Sequence, residues 1–204
     1  MCRFLLFIFI VALVCAQVHS HCIGPFRLLD TEEGESNVTF AKEGLKKLRS
    51  SEFANRPAIP IIVAGPSRKG KSFFLGMISG CRDKFRVGNM LEEQETMGAN
   101  MVIWEPDGDS SNKKKPVFLL IDTEGLNNPQ DIHDTALLTF AMMASSHVIY
   151  HQSERLEDSD LQQVSTIAQM VRVFRSKGNI LPVKVPELTW VLEKCSTVTK
   201  MEPT

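Results

Sequence analysis

Eight consecutive residues, Gly65 to Ser72, constrain the fold of this chain more than any other feature of its sequence. They read GPSRKGKS and match the phosphate-binding pattern GxxxxGK[ST] at every fixed position. The preceding run 59–64 is apolar, rich in β-branched residues and too short for a helix, which predicts a buried strand. The following residues 71–79 predict a helix that ends at Gly80. A strand, a glycine-rich loop and a helix in this order predict a phosphate-binding loop, or P-loop, in an α/β fold.

The residue types of this loop suit a nucleoside triphosphate bound together with Mg²⁺. Backbone N–H groups of a loop with small residues can surround the phosphates, and the helix N-terminus adds partial positive charge. The Lys71 ammonium is expected to reach the β- and γ-phosphates, and the Ser72 hydroxyl is expected to ligate Mg²⁺. We therefore predict that the nucleotide contacts Gly65, Ser67, Arg68, Lys69, Gly70, Lys71 and Ser72.

A second motif, Asp122-Thr123-Glu124-Gly125, follows the apolar strand that is predicted over 117–121. A carboxylate at the C-terminal end of a strand beside the P-loop is a partner for Mg²⁺, so Asp122 is predicted at the metal site. The backbone N–H of Gly125 is expected to approach the γ-phosphate. Without a P-loop in the same chain, these four residues would indicate an ordinary turn.

Two further residues are candidates for catalysis. Thr96 lies in the polar segment 83–98, where a mobile loop could bring its hydroxyl and carbonyl to Mg²⁺ and the γ-phosphate. Arg68 stands inside the P-loop, where its guanidinium could stabilise transition-state charge as an arginine finger in cis. The alternative for Arg68 is a solvated arginine beside Lys69.

The remaining segments alternate between predicted helices and strands. Helices are predicted over 40–53, 137–144 and 161–174, and strands over 101–104, 148–150 and 188–192. The segment 24–37 is polar and typical of turns. This alternation predicts an α/β three-layer sandwich, in which a mostly parallel sheet is flanked by helices.

The N-terminal segment has a different character. A short basic start, Met1-Cys2-Arg3, precedes an uninterrupted apolar run over 4–16, and small residues follow it. This layout predicts a secretory signal peptide over residues 1–20, and therefore a protein of the secretory pathway or a secreted one. An uncleaved membrane anchor and a buried core helix are the alternatives, although the run is shorter than the ~20 residues that span a bilayer.

Charge and cysteine usage bear on the remaining function classes. The formal net charge is -1, and the basic run 113–115 is typical of a solvated turn, so no nucleic-acid partner is predicted. Three of the five cysteines lie beyond the predicted leader, at Cys22, Cys81 and Cys195. Because their number is odd and they have no CxxC spacing, the sequence indicates neither a disulfide framework nor a zinc site.

The motifs together resemble those of one family, the guanylate-binding protein and atlastin type of GTPase in the dynamin superfamily. The segment Gly65–Phe73 resembles the P-loop of that family, and the DTEGL sequence at 122–126 is similar to its switch II signature. The ETMG sequence at 95–98, before a strand that ends at Trp104, resembles its switch I. The resemblance covers about residues 24 to 195.

The resemblance implies a G domain that binds GTP with Mg²⁺, dimerises through its nucleotide face and hydrolyses GTP. It implies that Arg68 serves catalysis in cis and that Glu124 and Gly125 shape the network of the γ-phosphate and the attacking water. Phe73 falls within the implied nucleotide-binding segment. The implied catalytic residues are Arg68, Lys71, Thr96 and Glu124, and the implied metal-site residues are Ser72, Thr96 and Asp122.

Two departures from the family pattern keep alternatives open. An Arg-Asp pair selects guanine in the family, whereas Glu193-Lys194 follows the strand predicted over 188–192. Residues 21–204 are expected to be the N-terminal part of an incomplete large-GTPase G domain, without the guanine cap and the C-terminal helical region.

A Mg²⁺-dependent GTPase is the first functional hypothesis, and a nucleotide-binding or dimerisation module without turnover is the second. A P-loop kinase or ATPase is a third hypothesis, which the DTEG motif disfavours. Atlastin-like relatives act at membranes, so the alternative to a secretory location is the cytoplasm or the cytoplasmic face of the endoplasmic-reticulum membrane.

Overall fold

The computed structural model describes residues 20–31, 38–85, 98–106, 113–126, 132–153 and 186–193, and single positions between 158 and 173. Within these ranges the strands are β1 (His21–Thr31), β2 (Val38–Phe40), β3 (Ala58–Ala64), β4 (Ala99–Glu105), β5 (Val117–Thr123), β6 (His147–Ser153) and β7 (Glu187–Glu193). The helices are α1 (Lys42–Leu48), α2 (Lys71–Ser79) and α3 (Ile132–Ala144), with a 3-10 turn at Arg82–Lys84.

The strands form one mixed sheet in the order β2-β1-β4-β5-β3-β6-β7. Strand β3 is parallel to β5 and to β6, and β6 is parallel to β7. Strand β4 is antiparallel to β5 and to β1, and β1 is antiparallel to β2. The parallel half, with the P-loop strand β3 inside it, confirms the predicted α/β class. The sheet was predicted as mostly parallel, whereas three of its six pairs of neighbouring described strands are antiparallel.

The alternation of side chains along the strands builds two apolar layers, one on each face of the sheet. On one face, Ile62 of β3 packs in a cluster with Leu137 and Met142 of α3. On the opposite face, Val63 of β3 packs with Leu75 of α2. Helices α2 and α3 therefore cover opposite faces, which is the predicted three-layer arrangement.

The N-terminal part of the fold differs from the sequence prediction. The segment 24–37, predicted as turns, contains most of β1, and the helix predicted over 40–53 is shorter, since α1 ends at Leu48. Strand β1 has register shifts between Ile23 and Phe26 and between Arg27 and Leu29. These irregularities remove the period-2 pattern by which a strand is recognised.

The cysteine pattern indicates no disulfide framework, but the structure contains a disulfide. Cys22 on β1 and Cys81 after α2 are disulfide-bonded, with their Cα atoms 6.0 Å apart. The two residues are 59 positions apart in the chain, so their proximity follows from the place of β1 beside β4 and not from local spacing.

Two predicted segments lie wholly or partly outside the described residues. Residues 1–19 of the predicted leader are among them, and so is Thr96 of the predicted switch I. Of the helix predicted over 161–174, the described positions are helical. Among the described residues, no helix is both long and apolar enough to cross a membrane.

Candidate active site

The P-loop connects the end of β3 to the start of α2, and unusual backbone angles shape its turn. Gly65 has φ 142°, Arg68 has φ 57° and Gly70 has φ 82°. A side chain at Gly65 would overlap the backbone carbonyl of His151 on the neighbouring strand β6. Glycine is therefore required at position 65 both by its backbone angle and by the close approach of β6.

Lys71, the first residue of α2, is enclosed by the loop that precedes it. Its side chain is only 6% exposed, and its ammonium donates a hydrogen bond of 2.9 Å to the carbonyl of Pro66. Burial lowers the pKa of Lys71 to about 8, while the charges of Asp122, Glu124 and Asp134 act in the opposite direction. A buried cation at the mouth of a helix N-terminus is suited to bind phosphate.

Ser72 meets Asp122 across two elements of the fold. The Ser72 hydroxyl donates a hydrogen bond of 2.6 Å to Asp122 Oδ2, and Asp122 is 2% exposed. The register that pairs Asp122 of β5 with Val63 of β3 brings this carboxylate to the level of the P-loop. The Thr123 hydroxyl also bonds the Val63 carbonyl at 2.9 Å, which holds the end of β5 against β3.

The segment after β5 lies directly against the P-loop. The Leu126 N–H donates to the Gly65 carbonyl at 3.0 Å, and a side chain at Gly125 would overlap Ser67. Gly125 is therefore fixed beside the P-loop by a contact that admits no Cβ atom.

Glu124 contacts the segment that leads into β4. Its carboxylate accepts a hydrogen bond of 2.7 Å from the Gly98 N–H, and its own N–H donates to the Gly98 carbonyl at 2.9 Å. Glu124 is 5% exposed. The two predicted switch motifs are thereby joined at Gly98, two residues after Thr96 in the chain.

Sequence reasoning missed two residues at the start of α3. His133 Nε2 lies 2.8 Å from Glu124 Oε1, and His133 Nδ1 lies 3.6 Å from Asp134 Oδ1. The helix was predicted to begin at Leu137, five residues after its observed start at Ile132. The polar pair His-Asp one turn before an apolar helix was the available signal, since Asp in a first helical turn is favoured.

The other predicted site residues are placed as follows. Arg68 is exposed, Lys69 is half-buried, and Phe73 on α2 is 42% exposed. Glu193 is the last residue of β7, two strands away from β3, and Lys194 lies outside the described residues. The structure thus brings Lys71, Ser72, Asp122, Glu124 and Gly125 together around the P-loop.

Comparison with known proteins gives matches to several guanylate-binding proteins. The sequence is 24% identical to guanylate-binding protein 4 of Homo sapiens over 79% of this chain and 24% of that protein. It is 25% identical to guanylate-binding protein 3 of Homo sapiens and to guanylate-binding protein 1 of Chlorocebus aethiops, each over 78% of this chain and 26% of the relative. The chain therefore spans about a quarter of the length of these relatives.

A solved structure of Toc33 from Arabidopsis thaliana, a dimerization-deficient mutant, is also similar. It has a TM-score of 0.33 and 12% sequence identity, with 76% of each chain covered, and a likeness this distant supports no functional argument. The family described as "Guanylate-binding protein, N-terminal domain" matches residues 35–187. This match covers well over half of the sequence, and the chain belongs to the guanylate-binding protein family.

Proposed function

We propose that this chain binds GTP together with Mg²⁺ and hydrolyses it. The observation that carries the proposal is the hydrogen bond between Ser72 and Asp122 beside the enclosed Lys71. This arrangement places a hydroxyl, a carboxylate and an ammonium at the N-terminus of α2, where phosphates are favoured. Membership of the guanylate-binding protein family supports guanine as the base.

The residues at the site fit a magnesium ion. Mg²⁺ prefers oxygen ligands and keeps part of its water shell, so one hydroxyl and one nearby carboxylate suffice when phosphates supply other ligands. Ser72 would hold the ion directly, Asp122 would bind it through water, and Thr96 is proposed as a further ligand. When bound, the ion neutralises charge on the phosphate oxygens.

The chain's own residues have separate roles in the proposed reaction. Lys71 binds the β- and γ-phosphates, and binding of these anions favours its charged form against the burial that disfavours it. Arg68 stabilises the charge that develops on the transferred phosphoryl group. Glu124 and the Gly125 N–H orient the γ-phosphate and the attacking water.

Base selection, assembly and location complete the proposal. Glu193, the last residue of β7, stands one residue before the position of the family's guanine-selecting aspartate, and it is proposed as the substitute acceptor for guanine. A homodimer through the nucleotide face follows the family pattern. A location in the secretory pathway, with a signal peptide over 1–20, is supported by the Cys22–Cys81 disulfide, because disulfides persist in oxidising compartments.

Phosphate release by the purified chain tests this function. GTP and ATP are supplied separately, with Mg²⁺ or with EDTA, to the wild type, Arg68→Ala and Lys71→Ala. We expect turnover of GTP that needs Mg²⁺ and falls at least ~100-fold in both variants, because each removes charge stabilisation of the transition state. Arg82→Ala, which removes an exposed arginine just beyond α2, is the matched control and is expected to retain activity.

Three other outcomes would each lead to a different conclusion. GTP binding without turnover in the wild type would favour the nucleotide-binding or dimerisation module over the enzyme. A preference for ATP would overturn the assignment of guanine. Equal turnover in Lys71→Ala and the wild type would show that the P-loop is not the site of the reaction.

A further inference from the structure

Glu124 joins the segment after β5 to the segment that leads into β4, through both its backbone N–H and its side-chain carboxylate. Its backbone follows β5 and its N–H donates to the Gly98 carbonyl, while its carboxylate accepts from the Gly98 N–H. Gly98 has φ 64° and leads directly into β4. The position of the Glu124 carboxylate therefore sets where the chain enters β4, two residues after Thr96.

His133 contacts the carboxylate oxygen of Glu124 that does not bond Gly98. His133 Nε2 lies 2.8 Å from Glu124 Oε1, whereas the Gly98 N–H bonds Oε2 at 2.7 Å. The other ring nitrogen, Nδ1, lies 3.6 Å from Asp134 Oδ1. The His133 side chain is 19% exposed, so the contact is made largely out of solvent.

The two carboxylates that His133 contacts also act on the P-loop lysine. Glu124 and Asp134 are 5% and 8% exposed, and both interact electrostatically with the Lys71 ammonium. A ring that contacts both carboxylates restricts their rotamers, and electrostatic interactions at low exposure depend strongly on such placement. His133 thus contacts both carboxylates that act on Lys71, at the first turn of α3.

We propose that His133 is a positioning residue that holds the Glu124 carboxylate against Gly98 and couples the start of α3 to the entrance of β4. The expected effect of His133 on turnover rests on the proposed GTP hydrolysis. Its expected effect on the Glu124–Gly98 contact is independent of that function. Because His133 acts through Glu124, its loss should lower the rate of the chemical step more than it weakens nucleotide binding.

Three substitutions of His133 distinguish a positioning role from a general contribution to packing. In His133→Gln the amide nitrogen can occupy the place of Nε2 and keep the contact with Glu124. In His133→Asn the shorter amide can replace only Nδ1. His133→Ala removes both contacts, and Ile132→Ala, at a side chain 69% exposed in the same helical turn, is the matched control.

Two measurements on the purified full chain test the proposal. Hydrogen exchange of the Gly98 amide, followed by NMR without nucleotide, reports the Glu124–Gly98 bond directly. We expect exchange to be at least ~10-fold faster in His133→Ala and His133→Asn, and unchanged in His133→Gln and Ile132→Ala. For GTP hydrolysis we expect kcat to fall by ~10- to 100-fold in the same two variants with KM nearly constant, and rescue by glutamine.

The outcomes separate this proposal from the proposed function. If the wild type does not hydrolyse GTP, the function fails and the Gly98 exchange still decides the role of His133. Unchanged Gly98 exchange in a folded His133→Ala overturns the proposal. If His133→Ala does not fold, His133→Gln and His133→Asn test the positioning role instead. Equal behaviour of these two variants in both measurements overturns the proposal.

Discussion

Glu105 shows what a single buried charge contributes at the end of the sheet far from the P-loop. It is 4% exposed at the end of β4 and contacts the side chains of Arg56 and His21. Its carboxylate accepts a hydrogen bond of 2.5 Å from Arg56 and lies 2.7 Å from His21 Nδ1. Burial raises the pKa of Glu105, but hydrogen bonds from His21 and Arg56 and the Arg56 charge outweigh it, so the pKa is lowered overall.

A lowered carboxyl pKa makes the stability of the fold depend on pH. Above the ordinary value of 4.5 the ionised Glu105 contributes its full stabilisation, which is lost as the pH falls through the lower pKa of the folded state. We expect Glu105→Gln to lower the free energy of unfolding by about 3 kcal/mol at pH 7, because it leaves the buried Arg56 without its counter-charge. Urea denaturation at pH 7 and at pH 3 measures this.

The contrast between the two pH values is the decisive feature of this prediction. The difference in the free energy of unfolding between the wild type and Glu105→Gln should be smaller at pH 3 than at pH 7. Glu187→Gln serves as the control, since that side chain is 87% exposed beside His147 and should change stability by less than about 0.5 kcal/mol. A loss in Glu105→Gln that stays constant with pH would contradict the assigned cause.

At the scale of elements, helix α1 packs on β1 through Gly44, a residue that helix propensity disfavours inside a helix. Glycine inside a helix is less favourable than alanine by about 1 kcal/mol. In α1, however, a Cβ atom at Gly44 would lie 2.5 Å from the Arg27 carbonyl oxygen and 3.1 Å from the Leu28 Cα atom. The close contact of α1 with β1 therefore requires glycine at this position.

This contact reverses the expected sign of a helix-stabilising substitution. Helix propensity alone predicts that Gly44→Ala stabilises the protein, whereas overlap with the β1 backbone predicts a loss of about 1–3 kcal/mol. We expect the loss, measured by urea denaturation. Lys46→Ala, at an exposed site of the same helix, is expected to stay within about 0.5 kcal/mol of the wild type, and a gain in Gly44→Ala would show that α1 can move away from β1.

At the scale of the whole molecule, the Cys22–Cys81 disulfide ties the first strand to the end of the P-loop helix. Cys81 is 1% exposed and belongs to the apolar cluster that Leu75 of α2 and Val63 of β3 also form. Cys22 packs against the same cluster from β1. The crosslink therefore joins the antiparallel half of the sheet to the element that carries the candidate active site.

Removal of this crosslink should destabilise the whole fold. A loop of 59 residues corresponds to about 4 kcal/mol of stabilisation through the reduced entropy of the unfolded chain. We expect the double variant Cys22→Ser, Cys81→Ser to lose about this amount in urea denaturation without reductant. Dithiothreitol should lower the free energy of unfolding of the wild type to that of the variant, and it should leave the variant unchanged. If the reductant does not change the stability of the wild type, the disulfide has no stabilising role.

The elements around the P-loop could be predicted because their signals are local. The helix over 71–79 matches α2 at both ends, and the strand predicted over 59–64 differs from β3 by one residue at its start. The apolar strands over 117–121 and 188–192 lie within β5 and β7. Short runs of apolar residues bounded by glycine, proline or charge determine such elements without help from distant residues.

The sequence by itself determined that this chain has a P-loop after a buried strand of an α/β fold and which residues are candidates to face a phosphate. The chemistry of a phosphate cradle demands particular residue types at fixed spacing, and these can be read along the chain. Only the tertiary structure decided the pairing of β1 with β4, the disulfide, the need for Gly44 and the contact of His133 with Glu124. The first three depend on contacts between residues that no local pattern pairs, and the contact of His133 with Glu124 depends on how the start of α3 packs beside the end of β5.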